Sequence, residues 1–72
     1  MLRYTVILER GDTSWSVYVP DLPGCVAVGA TREEALELIR GAINMHLEGM
    51  LEDGLPIPEP CSEVEVVEVG AA

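Results

Sequence analysis

Val19-Pro20-Asp21-Leu22-Pro23-Gly24-Cys25, followed after five residues by Thr31-Arg32-Glu33-Glu34-Ala35, is the stretch from which the fold is read. Pro20 and Pro23 fix φ and each removes a backbone donor, while Gly24 can take a positive φ, so a strand must end here and the chain must turn a corner. Within the corner, Asp21 has two readings: an Asx-turn bonded to nearby N–H groups or, with Leu22, an exposed pair that touches a partner. Thr31 is a good N-cap. Glu34, three residues on, can reach back to the Thr31 N–H and close a capping box, so a helix begins at Arg32.

Upstream of the corner, Leu2 to Glu9 alternates as a strand with Tyr4, Val6 and Leu8 toward the core. The polar break Arg10-Gly11-Asp12-Thr13 then turns the chain, and Ser14 to Val19 alternates again, with Trp15, Val17 and Val19 on the core side. Downstream, Cys25 to Ala30 is short and apolar with β-branched Val26 and Val28, a third strand antiparallel to the second, and Gly29 is expected to loosen its end. The helix predicted from Arg32 to about Glu52 carries Leu36, Ile39, Ile43, Leu47 and Met50 on one stripe, with Ala35, Ala42 and His46 beside it. Gly41 inside that helix is read as a point of close packing. Gly54 suits the position after the helix end, Pro56, Pro58 and Pro60 enforce an extended connector, and Ser62 to Val69 reads as a last strand. Its alternation changes phase between Val66 and Val67, which calls for a bulge or for burial on both sides.

The order is β-β-β-α-β, an α+β domain. Connection rules place the fourth strand beside the first, giving sheet order 3-2-1-4 with the helix on one face. Ile7 and Tyr18 are left on the opposite face, which with Val67 and Val69 forms the expected oligomer interface.

Seventy-two residues make one small domain, 1–72, for which a lone core is marginal and an oligomer is expected. Apolar residues make up 49% of the chain, enough to exclude disorder, but with no Phe the core must be aliphatic. Thirteen acids against four arginines, with no lysine, give a net charge of −9, which disfavours direct nucleic-acid binding and favours a basic partner. The best electrostatic candidates for that partner are Glu33, Glu37, Glu48, Glu52 and Asp53 on the helix and its end, although a solvated face would look the same. No apolar run reaches the length of a membrane span and the N-terminus lacks a leader-like pattern, so a cytoplasmic location is expected, with Cys25 and Cys61 reduced and packed as small apolar residues.

Candidate chemistry is sparse. Cys25, Cys61 and His46 lack a fourth ligand and a close pair to anchor zinc, and His46 is expected as a boundary side chain. A metal-dependent phosphoryl-transfer enzyme would need carboxylates gathered at the strand ends, where only Glu9 and Asp21 are available. Neither a catalytic residue nor a cofactor is expected.

Taken together, the hairpin, Val19-Pro20-Asp21-Leu22-Pro23-Gly24-Cys25, Gly29-Ala30-Thr31-Arg32-Glu33-Glu34-Ala35 and Gly54-Leu55-Pro56-Ile57-Pro58-Glu59-Pro60 resemble the HicB antitoxin family over nearly the whole chain. The resemblance implies a degenerate ribonuclease-H-like domain, assembly into homodimers or larger forms, and binding to HicA, a small basic toxin with a double-stranded-RNA-binding-like fold that cleaves messenger RNA. Many members of that family add a C-terminal helix-turn-helix or ribbon-helix-helix segment for promoter binding. With Ala72 following soon after the last strand, no C-terminal DNA-binding domain is expected here.

Overall fold

The computed structural model describes residues 2–71. Three strands, β1 (Ile7–Arg10), β2 (Trp15–Tyr18) and β3 (Val26–Gly29), precede one helix, α1 (Arg32–Glu52). The strands form an antiparallel meander in the order β1-β2-β3, with Ile7 opposite Tyr18 and Tyr18 opposite Val26. The turn between β1 and β2 is closed by the Gly11 N–H donating to the Ser14 carbonyl at 2.8 Å. Beside it, the Arg10 guanidinium lies 5.9 Å from the centre of the Trp15 ring.

The expected fourth strand is not formed. Among the described residues, nothing after Glu52 is helix or strand, and the order 3-2-1-4 reduces to its first three members. A strand needs a neighbour to take up its backbone groups, and residues 63–71 lie exposed instead of pairing with β1. The first strand is also shorter than its alternation, since the ladder starts at Ile7 while residues 2–6 stay outside it. The corner explains this. Val19 turns its N–H to the Cys25 carbonyl at 3.2 Å, and Pro20 has no N–H to offer, so β2 cannot continue opposite residues 5 and 6.

Alternation decides the two faces of the sheet. Val17 is buried while its neighbour Tyr18 is exposed, and the helix covers the Val17 side. The core consists of Val17, Val19, Leu22, Cys25, Ala35 and Ile39, with Tyr4, Val6, Leu8, Trp15, Ala42, Ile43 and Leu47 packed around it. The helix stripe is as its periodicity predicts, centred on Ala35 and Ile39, and no Phe is needed because the helix lies close to β3.

How close is set by Gly29. A Cβ built there would lie 2.6 Å from the Ala35 nitrogen and 3.0 Å from its Cα, so the glycine is the point of contact between β3 and the first helical turn and does not loosen the strand. At Gly41 the expectation fails in the other direction: a Cβ meets nothing within 4 Å, so no close packing within the chain requires it.

The helix is capped as Thr31 foretells, its Oγ1 accepting from the Glu34 N–H at 3.1 Å. The return bond differs by one residue. The Glu34 carboxylate accepts from the Ala30 N–H at 3.0 Å rather than from that of Thr31, tying the strand exit as well as the helix entry. At the other end Gly54, with φ of 70°, reverses the chain while the Leu55 N–H donates back to the Met50 carbonyl at 2.9 Å.

Candidate functional site

Three features stand apart from the core: a carboxylate clamp at the corner, an acidic helix face, and an uncovered sheet face. The clamp was reached by neither reading of Asp21. Instead of bonding its near neighbours, the Asp21 carboxylate receives the Cys61 N–H at 3.0 Å, the Ser62 N–H at 3.1 Å and the Ser62 hydroxyl at 2.7 Å, forty residues downstream. The Cys61 thiol also donates to it at 3.2 Å. Two further bonds secure the same segment to the start of the chain: the Thr5 hydroxyl donates to the Ser62 carbonyl at 2.8 Å, and the Tyr4 hydroxyl donates to the Pro58 carbonyl.

These bonds stabilise the ionised carboxylate. Led by the Ser62 hydroxyl, then the Ser62 and Cys61 amides, they lower the Asp21 pKa from 3.8 to about 2. The same carboxylate pushes the Cys61 thiol up, first by accepting its proton in a hydrogen bond and then by its charge. Cys61 is exposed rather than packed as an apolar residue, whereas Cys25 is buried; both are free thiols.

A pH dependence follows from the direction of the Asp21 shift. The carboxyl ionises more readily in the folded state, so its contribution to stability is present above the unfolded value near 3.8 and is lost as pH falls through about 2. Amide exchange at Cys61 and Ser62 is expected to accelerate relative to the β2 amides on going from pH 5 to pH 2.5, measured after correction for intrinsic rates. Asp21→Asn should remove that acid step, and protection independent of pH in the wild type would refute the clamp.

Leu22 is 0% exposed and belongs to the core. The pair Asp21 and Leu22 therefore does not form an exposed contact surface, because one side chain is buried and the other is engaged by the connector. The acidic positions lie differently: Glu33, Glu37, Glu48, Glu52 and Asp53 are all exposed. Positions 33, 37 and 48 recur at helical spacing, with Arg40 and Asn44 between them, so they share one side of α1 away from the sheet. His46 is half-buried at the border of the stripe.

On the far side of the sheet, Ile7, Tyr18 and Val26 form one cross-strand row, since directly paired residues share a face. Val28 continues it, and Tyr18, Val26 and Val28 are exposed. Ile7 and Tyr18 are where alternation puts them. Val26 and Val28 were missed as part of this surface, although the signal was there: Cys25, just before β3, and Ala27 within it are small residues that alternate with the valines, and small residues suit the side that the helix approaches. Val67 and Val69 are exposed but stand in the unpaired segment.

Among the described residues, no three His, Cys, Asp or Glu side chains converge in a way that could hold a metal ion. Asp21 is occupied by its amide and hydroxyl donors, and Glu9, next to last in β1, is exposed to solvent. Nor is any helix long and apolar enough to cross a membrane among these residues.

Comparison with known proteins bears on these surfaces. Residues 4–70 match the family model described as the HicB-like antitoxin of bacterial toxin-antitoxin systems. The chain is 39% identical to Antitoxin HicB 2 of Photorhabdus laumondii over 72 residues, 99% of this chain and 52% of that protein. It is 41% identical over 58 residues to an uncharacterized 14.9 kDa protein of Haemophilus phage HP1, matching 81% of this chain and 44% of the phage protein. A UPF0150 protein of Thermoplasma acidophilum is 36% identical over 63 residues, 86% of this chain and 91% of its own length. The chain thus spans about half the length of the Photorhabdus and phage proteins and nearly all of the archaeal one.

Proposed function

The chain belongs to the HicB-like antitoxin family of bacterial toxin-antitoxin systems, and from that membership we propose that it neutralises a small basic HicA-type toxin by binding it, with no chemistry of its own. The observation that carries this reading is electrostatic. A chain of net charge −9 displays Glu33, Glu37 and Glu48 along one exposed side of its helix, a surface that steers and orients a basic partner. Such a domain works by covering the toxin's active site in the cytoplasm, where messenger RNA is translated, and it needs neither cofactor nor direct contact with nucleic acid.

Within this reading Glu52 and Asp53 extend the acidic surface to the helix end, and Asp21 and Leu22 act indirectly by holding the corner. The apolar face bearing Ile7 and Tyr18, with Val67 and Val69 of the C-terminal segment, serves assembly into a homodimer or homotetramer. An apolar row flanked by polar positions is the kind of surface a small domain uses to complete its burial.

Titration calorimetry of the chain with a purified HicA-type toxin tests the proposal. A tight complex is expected that weakens as salt rises, and the triple reversal Glu33→Lys, Glu37→Lys and Glu48→Lys should reduce affinity by about tenfold or more, mainly through slower association. Since all three side chains are exposed, the variant should keep its helical circular dichroism. No complex at low salt with a toxin encoded beside this chain would overturn the proposal, as would an affinity indifferent to the three reversals for this choice of surface.

A further inference from the structure

We propose that residues 63–69 form a β-strand only in an assembly of two copies, each chain donating this segment to the open groove between residues 2–6 and the helix of the other. The groove is a cavity of about 330 Å³ lined by Tyr4, Val6, Ile39 and Ile43, with Arg40 and Asn44 also on its wall. It lies where a strand beside β1 would complete the cover of the helix stripe. Residues 2–6, along one side of it, stand outside the sheet ladder and so have backbone groups available to an added strand.

The proposed occupant has matching chemistry. Val64 and Val66 alternate onto one face, Val67 and Val69 onto the other, a pattern that wastes apolar surface on a strand with one wet side. At the β1 edge both faces are used: one meets the groove floor under the helix, and the other extends the Ile7–Tyr18–Val26 row on the outer face of the sheet. The change of phase between Val66 and Val67, puzzling in the sequence, is what this position requires. Glu68 shares the face of Val64 and Val66, and Glu65 that of Val67 and Val69, so whichever face meets the groove brings one carboxylate to the wall that carries Arg40.

The structure also favours a second copy over the chain's own groove. The Asp21 clamp and the Thr5 bond fix residues 61 and 62, and Pro56, Pro58 and Pro60 stiffen the approach to them. Beyond this anchor the chain runs outward, Val66 reaching 83% exposure, and the molecule measures 51 × 27 × 20 Å as a result. A segment launched from a fixed point away from its own body can be covered by a two-fold related copy, which returns the same contact and closes the assembly.

This rests on the homo-oligomeric part of the proposed function and can fail separately from it. The experiment is an isotope-filtered NOE measurement on the full chain, mixing carbon-13-labelled and unlabelled copies after unfolding and refolding together, with light scattering to establish mass. Expected are a two-copy or larger particle and intermolecular contacts from the methyls of Val64, Val66, Val67 or Val69 to Ile39, Ile43 or Tyr4. An oligomer whose C-terminal valines show only contacts within one chain, or none, overturns the strand exchange and leaves the assembly standing; a monomer overturns both. Val66→Asp with Val67→Asp provides a second check. Both side chains are exposed in the isolated subunit, so its circular dichroism should persist while subunit affinity falls by about tenfold or more, and unchanged affinity contradicts the exchange.

Discussion

Leu22→Ala is expected to lower the free energy of unfolding by about 2–5 kcal/mol, the cost of a large buried side chain plus the cavity it leaves. Between two prolines in a corner, a leucine looks like a surface residue. Here it is one of the most enclosed side chains, in the core cluster with Val17, Val19, Cys25, Ala35 and Ile39. It is turned inward by its own backbone: the Leu22 N–H donates to the Val19 carbonyl at 3.1 Å, and the Leu22 carbonyl accepts from the Cys25 N–H at 3.0 Å. Two successive tight bonds fold the corner over the end of the sheet and leave the side chain no direction but the interior.

For a domain of this size, where total stability is of the order of 5 kcal/mol, such a loss is enough to unfold much of the population at 37 °C. Urea denaturation followed by tryptophan fluorescence at Trp15 measures it directly. Leu22→Met, which keeps the volume, should cost less than about 1.5 kcal/mol. A loss below about 1 kcal/mol for the alanine variant would mean that the corner collapses into the gap and is not held by its backbone bonds. Under the proposed function, toxin binding should fall with the folded fraction and not beyond it, since Leu22 presents no surface to a partner.

Gly29→Ala should also destabilise, by about 1–3 kcal/mol, because the added methyl meets backbone rather than a side chain that can swing away. It would lie 2.6 Å from the Ala35 nitrogen, 3.0 Å from the Ala35 Cα and 3.1 Å from the Glu34 carbonyl carbon. Relief requires the first helical turn to lift from β3, which strains the Glu34 bonds to Ala30 and Thr31. Gly41→Ala is the natural comparison, with no atom within 4 Å of the new methyl and a helix interior that favours alanine. That variant should gain about 0.5–1 kcal/mol. Equal effects of the two substitutions in thermal or urea unfolding would contradict the close approach of helix and strand.

The two glycines show where a sequence is legible and where it is not. Both interrupt regular elements, and propensity treats them as equivalent costs. Only the crossing of α1 over β3 distinguishes the one whose missing side chain makes the contact. Asp21 is a similar case. As a turn residue it is explained by its neighbours, yet its partners lie at Cys61 and Ser62, and nothing local to either segment records that they meet. The acidic helix positions were legible because solvent exposure follows from period alone, and the outer sheet row because alternation assigns Ile7 and Tyr18 to it.

From the sequence by itself come the three strands in order, the helix from Thr31's cap to Gly54, the aliphatic stripe that meets the sheet, the −9 charge, and the motifs that indicate the family. These are set by interactions between residues a few positions apart: alternation, helical period, caps and proline-fixed turns. The tertiary structure alone decided that Leu22 is core, that Gly29 is a contact point, that Asp21 clamps the connector, and that residues 63–71 find no place beside β1 in this chain. Those outcomes depend on which surfaces meet at long range. The C-terminal valines show the difference most plainly: alternation gives that segment the makings of a strand, but a strand exists only where another backbone is in reach to pair with it.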